Sequence, residues 1–272
     1  MEFQPETAVR LAEVYRRLRD HFDYVHPWWP GSTFQIAITA VLVQQCDWGV
    51  AWDAVHRLPG EGVEHLTHLA DAEPSQVHAA VKKVTFARTK SERLVAMARR
   101  IQEAGFETFE AFLSAQRDRS TVRSEALALT GVGRETADCW LNFASAHPSF
   151  VVDAYTRRIF ARLNIVPEFS ADFWRRGDYD EIQVFFETHL GQSLDLYQGF
   201  DFTEELPRKV ALFRDYHALL VELGKHHCLK SKPLCFQTGN SGWPNYAYCR
   251  PHCLPAVCTA CPLTRTCRFP IN

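Results

Sequence analysis

An excess of charge of one sign is missing from this 272-residue chain: Lys and Arg number 30, Asp and Glu 32, and the formal net charge is −2. That excludes a chain-wide electrostatic footprint for nucleic acid, so any basic contact surface must be local. Long hydrophobic runs are missing too. Nothing approaches the roughly 18 consecutive apolar residues of a membrane-spanning helix. The opening segment, MEFQPETAVRLAEVYRRL, is charged and helical in period, unlike a secretory leader. A cytoplasmic, nucleoid-associated location is therefore the expectation. Strand-like alternation is scarce, and there is no internal repeat or low-complexity tract. With 46% hydrophobic and 23% charged residues, the composition also excludes a disordered chain and suffices for one large domain or two small ones.

What is present is helical periodicity, with apolar residues recurring at three and four. It predicts helices over 7–21, 34–43, 48–57, 74–84, 91–103, 106–116, 134–145, 156–163, 181–189 and 207–224. Asp71–Pro74, Gly131–Gly133 and Pro148 punctuate between them. Short basic clusters are the candidates for a local patch: Lys82 with Lys83; Arg88 with Lys90 and Arg93; Arg157, Arg158 and Arg162; and Lys225. Each is also compatible with a solvated helix face. Seven of the nine cysteines fall between Cys228 and Cys267. In a chain with no sign of secretion, such clustering argues for metal ligands over disulfides.

Two stretches carry chemistry. Leu129-Thr-Gly-Val-Gly-Arg-Glu135-Thr-Ala-Asp138 looks like a helix–turn–helix whose tight turn is built from Gly131 and Gly133. Two glycines one residue apart let the backbone bend sharply and approach another molecule. Their N–H groups, beside the start of the helix from Arg134, suit an anion such as a DNA phosphate. Eighteen residues after Glu135 comes Asp153, within Phe150-Val-Val-Asp153-Ala-Tyr-Thr-Arg-Arg-Ile-Phe160. It places one carboxylate at the head of a basic amphipathic helix. An aspartate there is a helix cap in its ordinary role, and the cap and the helix dipole keep it ionised.

Together these stretches resemble the helix-hairpin-helix, Gly-Pro…Asp superfamily of DNA glycosylases, which includes endonuclease III. The resemblance implies an all-α chain of two helical domains flanking a DNA-binding cleft. A six-helix domain would span 32–147, and residues 1–31 and 148–272 would form the second, iron–sulfur domain. It implies a monomer acting on double-stranded DNA that contains a damaged base. Asp153 matches the catalytic aspartate, with Gly131, Gly133, Arg134 and Lys90 on DNA. Bifunctional members carry a lysine at the hairpin position where this chain has Glu135. Glutamate cannot form an imine, so the expectation is a monofunctional enzyme that uses water. Gln45, following the apolar run to Val43, stands where members place a residue that wedges into the duplex.

The cysteines are similar to the endonuclease III loop, C-x6-C-x2-C-x5-C, which binds a 4Fe-4S cluster. Cys258-x2-Cys261-x5-Cys267 matches its last three members, and His217–Cys228 resembles the helix that delivers the first. The expected ligands are thus Cys228, Cys258, Cys261 and Cys267. Cys235 is the alternative second ligand, because Cys228-x6-Cys235 also fits, with an insert from Phe236 to Val257 interrupting the pattern. The cysteines left over, with His252, are candidates for a zinc ion, and zinc in place of the cluster is the competing reading.

Pro27-Trp28-Trp29-Pro30, the run Ala40-Val41-Leu42-Val43-Gln44, the aromatic Trp48, the two motifs above, Tyr179-Asp180-Glu181 and Phe185-Phe186-Glu187 look like the 3-methyladenine glycosylases of the endonuclease III-like branch. That implies a base pocket of Trp28, Trp29 and Trp48, selecting a cationic alkylated purine by cation–π attraction. Plain core packing of these tryptophans is the other reading. Two further hypotheses remain open: a glycosylase for oxidised pyrimidines, and a module that binds damaged DNA without catalysis.

Overall fold

The protein is described here from a computed structural model, which defines residues 1–22, 27–163, 165–167, 169–200, 202, 206–235 and 260–267. Among these residues the secondary structure is entirely helical. The chain divides into two compact units, one of Trp29–His147 and one of Met1–Trp28 with Pro148–Asn272.

The chain opens with α1 (Pro5–His21), outside the unit Trp29–His147; the described residues of that unit form α2 (Thr33–Leu42), α3 (Trp48–Arg57), α4 (Leu66–Asp71), α5 (Pro74–Val81), α6 (Ala87–Glu103), α7 (Phe109–Phe112), α8 (Arg119–Leu127) and α9 (Arg134–Cys139). Helix α2 is its centre. Eight of its ten residues are buried, as an all-round apolar sequence requires. A capping box starts it, with Ser32 accepting from the Gln35 amide and the Gln35 side chain accepting from Ser32 N–H. The fully buried Trp140 donates its indole N–H to the Ala37 carbonyl at 2.9 Å. Helix α6 packs on α4 and α5. The helix expected over 134–145 becomes a π turn from Trp140 to Ala144. The one expected over 106–116 shortens to α7, which Thr108 caps. Helices α4 and α8 form where the apolar spacing predicts none.

The other unit holds α1 (Pro5–His21), α10 (Ala154–Leu163), α11 (Ala171–Arg176), α12 (Tyr179–Gly191) and α13 (Arg208–His226). Helix α13 is buried along nearly its whole length and packs against α1, α10 and α12. Phe150, Phe160, Trp174, Phe185, Phe186 and Phe213 fill the core. Gly224 permits the close approach of α10, since a Cβ there would collide with the Tyr155 ring. No described helix is long and apolar enough to cross a membrane.

Candidate active site

The hairpin is built from α8, a turn at Thr130–Gly133, and α9. Gly131 turns the chain at φ +91°, in the left-handed region that favours glycine, and its carbonyl is held by the Gln44 side chain at 3.0 Å. Gly133 differs: its backbone is extended, and a Cβ there would meet nothing within 4 Å. Gly133, Arg134 and Glu135 are exposed at the tip. Behind them Asp138, fully buried, receives two N–H bonds from Arg123 at 2.9 and 3.0 Å. That bidentate pair clamps α8 to α9. Spacing along the chain carries no signal for this pair, since Arg123 and Asp138 lie on different helices.

A second turn abuts the hairpin. Gln44 donates to Gly131 O and to the Thr136 hydroxyl, both at 3.0 Å. Its neighbour Gln45 is exposed and sits at φ +54°, a conformation that costs a non-glycine residue about 1 kcal/mol or more. Lys90 lies under the same turn. It is 3% exposed, and its ammonium donates to Leu42 O at 2.8 Å and Gln44 O at 2.6 Å. Burial pulls its pKa below the ordinary lysine value. The expectation that Lys90 contacts DNA is therefore corrected. A buried ammonium bound to two carbonyls braces the turn that displays Gln45 and presents nothing to a phosphate. Lys82, Lys83, Arg88 and Arg93 are exposed in the same unit.

Trp29 and Trp48 belong to one aromatic cluster, edge to face at 6.4 Å, with Phe143 5.4 Å from Trp29 and Trp52 stacked on Trp48 at 5.1 Å. Trp28 lies in the other unit. Its indole donates to Glu222 at 2.8 Å and its ring meets the edge of His217. Each of the three is 7% exposed.

Asp153 is 7% exposed and heads α10. Its Oδ1 accepts from the Thr156 amide at 2.7 Å, the geometry of an N-cap. The helix begins at Ala154, two residues earlier than expected, because Asp153 is that cap. From α13, the His217 imidazole lies within electrostatic reach of the carboxylate and contacts the Val151 carbonyl through Nδ1 at 3.2 Å. Burial holds the His217 pKa below the usual histidine value. The basic face expected along α10 is corrected as well. Arg157 is bound to the Trp174 and Gly177 carbonyls, Arg158 to Cys228 and Gly224, and Arg162 to Leu229 and Lys230. These guanidiniums fasten α10 inside its own unit. Lys225 is buried too.

Four cysteines, Cys228, Cys235, Cys261 and Cys267, line one cavity together with Arg162 and Leu263. Burial, with the neighbouring sulfurs adding to it, pushes the Cys261 thiol up to about 12 and raises Cys235. Cys258, Cys249, Cys253 and His252 lie outside the described residues. Cys235, the alternative second ligand, shares this cavity with Cys261.

A glycine-turned helical hairpin and, further along the chain, a helix headed by a capped aspartate define a helix-hairpin-helix DNA glycosylase fold. Residues 38–173 match the family described as HhH-GPD superfamily base excision DNA repair protein, and the chain belongs to that family as a DNA repair glycosylase. It is 30% identical to "Putative DNA repair glycosylase MJ1434" of Methanocaldococcus jannaschii over 83% of this chain and 91% of that protein. Among solved structures it is similar to an H. pylori 3-methyladenine DNA glycosylase, MagIII, bound to 1,N6-ethenoadenine. There the TM-score is 0.64 and the identity 25%, with 78% of this chain and 96% of that one covered. An endonuclease III–DNA covalent intermediate matches at TM-score 0.59 and 18% identity, covering 91% of this chain and 97% of that one. A thermostable thymine-DNA glycosylase matches at TM-score 0.61 and 18% identity, covering 85% and 91%. The last two likenesses speak to the fold.

Proposed function

We propose that this chain is a monofunctional glycosylase that hydrolyses the N-glycosidic bond of an extruded alkylated purine, with N3-methyladenine as the lead substrate. The observation that carries the reading is the Asp153 carboxylate, fixed at the head of α10 by the Thr156 amide at 2.7 Å. Breaking the bond leaves positive charge on the deoxyribose, and an oriented carboxylate stabilises that charge. Once the base has departed with the bonding electron pair, water adds its oxygen to C1′ and one water proton passes to Asp153. An alkylated purine leaves as a neutral base, which makes it a good leaving group. The product is an abasic sugar in an unbroken strand.

Glu135, exposed in the first turn of α9, supports hydrolysis over imine chemistry, since a carboxylate forms no Schiff base. Gly131, Gly133 and Arg134 grip the phosphate backbone, and Gln45 enters the gap left by the extruded nucleotide. Its exposure and pre-set backbone favour that role. Trp29 and Trp48, which share one aromatic cluster, supply the aromatic faces for a cationic base. The 3-methyladenine specificity named for the H. pylori relative points the same way.

The donor set of the cysteine cavity fits an iron–sulfur group: four thiols in apolar surroundings with an arginine beside them. When bound, a 4Fe-4S cluster would supply a rigid cross-link between α13 and the chain's last turns. The protein's contribution is to hold four sulfurs and exclude water.

The test is release of free bases from methylated and from oxidised duplex DNA. We expect methylated purines from the wild type, and a loss of about 10²–10³-fold in Asp153→Asn at unchanged DNA affinity. Borohydride should trap no protein–DNA adduct. Release of oxidised pyrimidines alone would overturn the substrate assignment. Unaltered turnover in Asp153→Asn would overturn the catalytic one.

A further inference from the structure

We propose that the cluster ligands are Cys228, Cys235, Cys261 and Cys267, and that the stretch 236–260, Cys258 included, is an insertion between the second and third of them. This rests on the iron–sulfur reading above and goes beyond it by assigning the cage. In sequence, Cys258 is the nearer neighbour of Cys261, separated by two residues, whereas twenty-five separate Cys235 from Cys261. Three observations favour the distant one.

Cys235 and Cys261 are joined through the backbone. The Cys261 N–H donates to the Cys235 carbonyl at 3.1 Å, the bond that residue i+3 gives to residue i in a β-turn. A C-x2-C pair makes that same link within a continuous chain. Here it spans the insertion, so the two cysteines stand as if two residues separated them. Thr264 reinforces the junction: its hydroxyl lies 2.8 Å from both the Cys235 and the Cys261 carbonyl oxygens.

The four side chains also surround one space, closed by the apolar Ile159, Leu163, Leu223 and Leu263. Cys235 is thus a member of the same sulfur set as Cys228, Cys261 and Cys267.

Finally, a cation already faces the space. Arg162, 7% exposed, directs an N–H at the Cys228 sulfur from 3.0 Å. A guanidinium only donates, so the sulfur accepts, and the positive charge stands ready for an anionic group held by the four sulfurs. Its own carbonyl stands 3.8 Å from the Cys267 sulfur.

The experiment measures iron, labile sulfide and visible absorbance on the full chain purified without oxygen, as wild type, Cys235→Ala and Cys258→Ala. We expect about four irons and four sulfides per chain in the wild type and in Cys258→Ala, and loss of more than half of both in Cys235→Ala. A loaded Cys235→Ala with an empty Cys258→Ala overturns the ligand set and leaves the cluster reading standing. A wild type devoid of iron and sulfide overturns both. Because Cys235→Ala can fail by misfolding, alkylation of the loaded wild type supplies a second readout. Cys235 should resist iodoacetamide until a chelator strips the iron, and its modification in the loaded protein would refute the assignment.

Discussion

Breaking the clamp behind the hairpin should have lopsided consequences. Asp138 has no exposed side-chain surface, whereas that of Arg123 is 19% exposed. Arg123→Met removes both N–H bonds, at 2.9 and 3.0 Å, from a carboxylate that water cannot reach. Removing one partner of a buried pair costs about 3–5 kcal/mol. Asp138→Leu leaves a guanidinium that can swing its tip into solvent, so its loss falls to about 2–3 kcal/mol. In the double variant no buried charge is stranded. Its loss should be smaller than the sum of the singles by about 2 kcal/mol or more, which is the coupling a double-mutant cycle reads. Urea titrations following the helical circular-dichroism signal measure all three. The reasoning fails if Asp138→Leu is the more damaging single change, or if the two singles simply add. DNA affinity should fall with the clamp, because the exposed tip at Gly133–Glu135 sits where α8 meets α9.

The two hairpin glycines should separate fold from function. Gly131→Ala forces a side chain to φ +91° with its Cβ 3.0 Å from Arg93 Cδ, which should destabilise by about 1–2 kcal/mol. Gly133→Ala meets open space and should leave stability within about 0.5 kcal/mol while weakening DNA binding, as fluorescence anisotropy would register; equal stability effects would refute the distinction. His21 is held down to about 4 by burial and by the His227 and His226 imidazoles, with His227 Nε2 at 3.0 Å. The unfolded chain, with a histidine pKa of about 6.5, therefore takes the proton first as pH falls. That contribution to stability is complete above about 6.5 and is lost down to pH 4, by about 1 kcal/mol after allowance for the ring's partial exposure. His21→Gln should flatten the acid side of a melting-temperature profile, and an unchanged slope would exclude His21 as a source of it.

Local chemistry made much of the site legible. The Gly131–Gly133 turn, the cap at Asp153 and most of the long helices depend on spacing, propensity and capping over a few residues, so they can be read from the string. Helix α8 escaped because only Val122 and Ala126 are buried along it, too few to declare a period. The α7 region was overextended because its apolar residues run on past the short helix that Thr108 caps.

The basic residues were misread for a different reason. A lysine or arginine in a helix has the same spacing whether it faces water or a carbonyl. Lys90, Arg157, Arg158 and Arg162 all face carbonyls, and no sequence pattern distinguishes the two.

The amino-acid order by itself determined the class of this protein: helices, a glycine hairpin and an aspartate at a helix head. Those features need only neighbours in the chain. Which cysteines share a cavity, which cations are buried, and how Gln44 joins two turns were decided by the tertiary structure alone. Each depends on residues tens of positions apart being brought within hydrogen-bond distance, and covalent order does not encode that distance.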